Sequence, residues 1–213
     1  PAPAPASAEL SNLLREIQTQ QSKQHYFEAI QLLDKAEALA PDNPIFPNIR
    51  GSIYTAMRDF PKARECFELS EKKMPQAFEP KFNLAEVFYA EAKYPEAEAA
   101  FSKLLKDFPK LREEVRHLTQ FKVAVCQLKQ DHPAQAEETT KSFTFMDDTP
   151  AYYFSKAALA FQKGDKDDAK SWLAKAQRIF KPQQNVPYID SLMEARWVPS
   201  INVPKVEPAE EAK

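Results

Sequence analysis

Glycine is nearly absent: two of 213 residues, where an ordinary chain carries roughly 7%. A phosphate-cradling loop, a dinucleotide fingerprint or a nucleophile elbow each needs glycine where the backbone turns through positive φ or approaches a ligand closely. The scarcity argues against most cofactor-dependent α/β enzymes and against a series of tight β-turns. Long apolar runs are missing too. The longest stretches without Asp, Glu, Lys or Arg are eight residues, such as Trp197 to Pro204, against the roughly 18 to 20 that a membrane-spanning helix needs. Membrane insertion is therefore not expected. There is no basic excess either: 29 Lys and Arg face 31 Asp and Glu for a net charge of −2, so no nucleic-acid partner is expected. Cys66 and Cys126 are the only cysteines, too few for a disulfide framework and not in a C-x-x-C pair. What remains is a chain that is 43% hydrophobic and 28% charged, a balance that folds rather than staying disordered.

Pro1 to Ala8 reads as alternating Pro and Ala, a semi-stiff spacer with little to pack. The first residue is not Met. An exported or periplasmic protein, with the spacer following a removed signal, is expected slightly ahead of a domain taken from a longer cytoplasmic chain.

The positive signal is a period. Ala29, Ala63 and Ala97 are spaced by 34, as are Leu33, Phe67 and Phe101; Tyr26, Phe60 and Tyr94; and Pro41, Pro75 and Pro109. Within each copy apolar residues recur at helical spacing twice, as in Ile49, Ile53, Tyr54 and Met57 and then Ala63 and Phe67. Pro61 and Pro95 suit the first turn of a second helix, where a missing N–H costs nothing, and Pro75 and Pro109 end it. Each copy thus reads as a helical hairpin.

With these residues the sequence resembles the tetratricopeptide repeat family, over roughly Leu10 to Pro182. The second copy carries the motif as Gly51, Tyr54, Ala63, Phe67, Ser70 and Pro75, and the third as Ala85, Phe88, Ala97, Phe101 and Pro109. The first copy has Ile17 and Gln20 at the small and aromatic positions. The fourth alanine falls at Ala136, 39 residues after Ala97, so five residues are inserted, read as a longer first helix because Leu111, Val115, Leu118, Val125 and Leu128 keep one stripe. That copy also has Thr140 and Phe143 where a bulky and a small residue belong. A fifth copy restores the pattern with Ala157, Ala169, Leu173 and Ala176, turning at Gly164. The resemblance implies an all-α, right-handed superhelical solenoid of about five hairpins with a C-terminal capping helix. Its division is a Pro/Ala linker over 1–9, repeats over about 10–43, 44–77, 78–111, 112–149 and 150–181, a cap over 182–198 and a Pro-rich tail over 199–213.

Catalytic chemistry finds no foothold. His25, His117 and His132 form no His-Glu-x-x-His pattern. His117 with Glu113, one turn apart, reads as a solvated helix pair. The carboxylate pairs at 113–114, 137–138, 147–148 and 167–168 read as helix starts and polar faces, and Trp172 as core. No catalytic, cofactor-binding or metal-binding residue is assigned, and no cofactor is expected. In the family the first helices line an inner groove, which would turn Leu14, Gln18, Asn48, Ser52 and Thr55 inward in the first two repeats. In the later ones it would turn Phe82, Glu86, Tyr89, Phe121, Val125, Leu128, Phe154 and Phe161 inward, and those eight are the candidate partner-binding residues. The expected role is a non-catalytic scaffold that takes a peptide or protein partner in this groove. Two alternatives stand beside it: a groove filled by the chain's own tail or a second copy, with homo-oligomers as the result, and, further off, a regulatory fragment of an enzyme. A third reading of the rings is that they are simply core between adjacent first helices.

Overall fold

The computed structural model describes residues 5–199, with side chains from residue 8 onward. Helices follow in pairs: α1 (Pro5–Ser22) with α2 (Tyr26–Leu39), α3 (Phe46–Ala56) with α4 (Phe60–Lys73), and α5 (Phe78–Ala90) with α6 (Tyr94–Asp107). Then come α7 (Glu113–Lys129) with α8 (Pro133–Thr139), α9 (Ala151–Gln162) with α10 (Lys166–Ile179), and a last helix, α11 (Pro182–Glu194). Among the described residues there is no strand. The molecule is an all-α solenoid in which each pair packs on the next.

The turn inside four of the five pairs is made without glycine. Gln24, Arg58, Ala92 and Asp131 hold φ between 59° and 62°, and Gly164 takes the same role at 79°. Each sits in a helix end where two backbone N–H groups reach back, as Ala92 N does to Tyr89 O (2.9 Å) and Lys93 N to Phe88 O (2.9 Å), the double bond of a Schellman motif. The alanine five residues further on then meets the first helix of its pair: Ala29, Ala63, Ala97, Ala136 and Ala169 are all buried. In the second pair the approach leaves no room for a side chain at Gly51, where an added Cβ would lie 2.7 Å from the Phe67 ring. Prolines bound the second helices, with Pro61, Pro95 and Pro133 in their first turns.

Three parts differ from the sequence reading. Helix α1 begins at Pro5, inside the stretch read as linker, since proline is tolerated in a first turn and alanine favours helix. In the fourth pair the inserted residues give the longer first helix expected, 17 residues in α7, but α8 has only 7. Thr140 turns its hydroxyl back onto Ala136 O (2.9 Å), and the chain leaves the helix so that Phe143 covers His117, ring centroids 4.8 Å apart. His117 is consequently not a solvated partner of Glu113. It is 5% exposed, with Nδ1 2.9 Å from Thr149 Oγ1 and Nε2 3.6 Å from Glu113. Burial lowers its pKa, against the pull of Glu113 and Asp147.

Candidate functional site

The first helices of the later pairs, α5, α7 and α9, set the chemistry of the inner face. Their apolar residues recur at helical spacing, so Phe121, Val125 and Leu128 share one side of α7, and Phe154 and Phe161 one side of α9. In an open array these side chains would meet water. Instead Tyr89, Phe121, Val125, Leu128 and Phe154 are at most 1% exposed, while Phe82, Glu86 and Phe161 are half-buried.

What covers Phe121, Phe154 and the Tyr89 hydroxyl is α11. Its Tyr188 ring sits 5.1 Å from Phe121 and 5.2 Å from Phe154, and Leu192 is fully buried beside them. Tyr89 donates its hydroxyl to Ser191 O (2.7 Å), and the Lys129 ammonium donates to Ala195 O (2.9 Å). Beyond the helix, Trp197 stacks on Phe161 at 6.1 Å, with the rings 11° from parallel. Gln184 near the start of α11 reaches Asp148 O ahead of α9 (3.3 Å). The start of α11 thus lies by the starts of the first helices and its end by their ends, so it runs along them in the same direction. It folds back onto the inner face instead of lying only over α10, the last second helix. Arg196, at φ 60°, closes α11 with the same Schellman pattern as the first helices, Arg196 N to Met193 O and Trp197 N to Leu192 O.

Toward the N-terminal repeats the inner face stays open and polar. Asn48 and Asn83 hydrogen-bond side chain to side chain (3.0 Å), and Ser52 and Thr55 return their hydroxyls to their own helix. Between this stretch and α11 lies a cavity of about 540 Å³ lined by Arg58, Glu86, Lys122, Asp190, Glu194 and Arg196 together with Ala90, Ala92 and Met193. Lys122, 4% exposed, is held 2.9 Å from Glu86 and 4.9 Å over the Tyr89 ring. Arg58 pairs with Glu194 at 2.7 Å across 136 residues of sequence and also donates to Ala90 O (3.2 Å). Burial raises the Asp190 carboxyl above its ordinary pKa, partly offset by Lys122.

Of the eight residues singled out from sequence, the structure sets Tyr89, Phe121 and Phe154 against α11 and Phe161 against Trp197 beyond it, while Val125 and Leu128 are buried in the same core, Leu128 beside Ala136 of α8 and Ala158 of α9. It puts Glu86 in the charged cavity and Phe82 in an apolar cleft at the other end of α11. Sequence reasoning missed Lys122 and the α11 residues Asp190 and Glu194. The one signal was for Lys122, a Lys inside an otherwise apolar stretch of α7. The carboxylate pairs are placed as helix starts at 113–114 and 167–168. Asp147 instead closes a turn, accepting from Thr144 N (2.9 Å) and Thr144 Oγ1 (2.7 Å). Among the described residues no three His, Cys, Asp or Glu gather as a metal site, and no helix is long and apolar enough to cross a membrane. Both cysteines are free thiols.

Family models for the tetratricopeptide repeat match residues 50–111 and 150–181. No curated protein matches the sequence. Among solved structures the chain is similar to a thermophilic TPR protein of Thermus thermophilus, at 18% identity and TM-score 0.63, covering 86% of this chain and 99% of that one. It is also similar to a putative kinesin light chain of Podosopora anserina with nearly identical TPR-like repeats, at 17% identity and TM-score 0.64, covering 83% and 96%. A third likeness is to BtubC (BKLC) of P. vanneervenii, at 16% identity and TM-score 0.57, covering 83% and 91%. At these identities the likeness is one of fold.

Proposed function

Because the chain is a tetratricopeptide repeat protein, and such arrays are generally protein–protein interaction scaffolds, we propose a non-catalytic scaffold that carries its own groove filler and binds its partner beside it. In this reading α11 and the Trp197 turn hold the place that a partner segment would take against Tyr89, Phe121, Phe154 and Phe161. The partner then engages the open polar stretch along α3 and α5, with α11 as one wall. The observation that carries this is the cavity between them, in which three cations and three carboxylates face one another with Lys122 almost wholly buried. Such a surface recognises by charge register rather than by apolar area. Covering the rings also removes the exposed apolar patch that would otherwise drive self-association.

The test is capture from the native host with the intact protein and with Arg58→Glu, Arg196→Glu as baits, against Lys72→Glu, Lys73→Glu at the far end of α4 as a control. The reading expects a partner held by the wild type and the control and lost by the double reversal at the cavity. A partner set that is the same for all three baits would overturn it.

A further inference from the structure

At the opposite end of α11 from the charged cavity, the inner face opens into a cleft of about 400 Å³. Its walls are Phe78 and Phe82 of α5, Val115 and Leu118 of α7, Pro150 ahead of α9 and Pro187 of α11. The aromatic wall is fixed by its own packing: Phe78 stacks on Phe82 at 5.3 Å and meets Phe108 edge-on at 5.4 Å, and Phe82 meets Phe101 at 5.6 Å. A cleft held open by ring contacts needs little rearrangement to accept a side chain, and its size falls at the small end of the range for ligand pockets.

The charge around it has one sign. Glu114 and Asp148 are the charged residues that line it, no Lys or Arg does, and among the described residues neither carboxylate is in an ion pair. Gln183 and Gln184 add neutral polar groups at the same rim. We propose that this cleft docks a large apolar side chain of a partner polypeptide that carries Lys or Arg on either side of it. The apolar group fills the space between Phe82, Leu118 and Pro187, and the flanking cations meet Glu114 and Asp148. A second copy pairing cleft to cleft about a two-fold axis would bring the acidic segment 147–148 against its like, which disfavours that occupant. The site lies apart from the charged cavity, so its failure would leave the proposed function standing.

The probe is a blocked hexapeptide with a Phe-Leu centre and two lysines on each side, compared with the same peptide bearing glutamates. Methyl resonances of Val115 and Leu118 in the full chain are the readout. The lysine peptide should shift them and the glutamate peptide should not. Glu114→Gln with Asp148→Asn, which keeps the shape, should weaken the lysine peptide by roughly three- to tenfold, as the loss of two exposed ion pairs would. Glu114→Lys with Asp148→Lys should reverse the preference. Absence of any shift, or equal shifts from both peptides, would overturn the proposal. It is equally overturned if those methyls respond, without peptide, to protein concentration or to removal of residues 200–213, because the cleft would then belong to a second copy or to the chain itself.

Discussion

At the scale of single residues, the scarcity of glycine acquires a structural meaning. Four of the five turns inside the helix pairs put a side chain into the left-handed region, at Gln24, Arg58, Ala92 and Asp131. That conformation costs a non-glycine residue about 1–2 kcal/mol, whereas glycine's disadvantage is an unfolded-state entropy of roughly 0.5–1 kcal/mol. Ala92→Gly should therefore stabilise the protein, by about 0.5–1 kcal/mol, read from the urea midpoint. Gly164→Ala is the mirror test. A Cβ there meets nothing within 4 Å, so only backbone strain acts, and a loss of about 1 kcal/mol is expected. Equal midpoints for both variants would show that the turns are not held where the backbone places them. Asp190 offers a second residue-scale check. Its pKa is raised in the fold mainly by burial, so the folded state binds its proton more readily than the unfolded one. Stability from this group is therefore greatest at low pH and is lost as pH rises through the folded pKa. Asp190→Asn should stabilise at neutral pH, with the gain shrinking as the solution is acidified towards the carboxylate range. A gain that is independent of pH would mean that the carboxyl charge is not what matters.

At the scale of elements, the periods written in the sequence were legible because each rests on local physics. A buried alanine column, a proline in a first turn and a stripe of apolar residues are all readable within one or two turns of helix, and they locate the pairs from α1 to α10. The fourth pair shows where such reading stops. Nothing local says that Phe143 replaces the missing end of α8, or that His117 will be sealed under the segment that follows. The consequence can be measured. Burial lowers the His117 pKa below its ordinary value near 6.5, so between the two the unfolded state holds more protons. Stability from this histidine is full above the unfolded value and falls as pH drops through it. Acidifying from pH 7.5 to 5 should loosen the Phe143–Thr149 segment first, seen as faster amide exchange there, and His117→Gln should flatten that dependence. Unchanged exchange in the wild type across this range would remove the histidine from the account.

At the scale of the whole molecule, the position of α11 is what the sequence could not disclose. Its helical character is local, but its place on the inner face is set by contacts 102 residues away, from Tyr89 to Ser191, and 136 away, from Arg58 to Glu194. An amphipathic stripe tells that a helix will be covered, not which face of an array will cover it. The same gap hid the charged cavity, since Lys122 and Asp190 become neighbours only when α11 turns inward. This arrangement leads to a truncation test. In a repeat array each pair is supported mainly by its neighbours, so a chain ending at Lys181 should keep its helical pairs. It would, however, uncover Phe121, Phe154 and Tyr89, and burying one such side chain is worth roughly 1.5–3 kcal/mol. The truncated chain is expected to retain most of its far-UV helical signal, to bind more of a hydrophobic dye than the full chain does, and to associate with rising concentration in light scattering. Tyr188→Ala in the full chain should produce a weaker form of the same behaviour, with a loss of about 3–5 kcal/mol if α11 unfolds together with the array, or dye binding at nearly unchanged global stability if it lifts off alone. A truncated chain that stays monomeric, binds no more dye than the full protein and melts as it does would mean that α11 is not the cover of the inner face, and the array would then have to be redrawn with its apolar groove open.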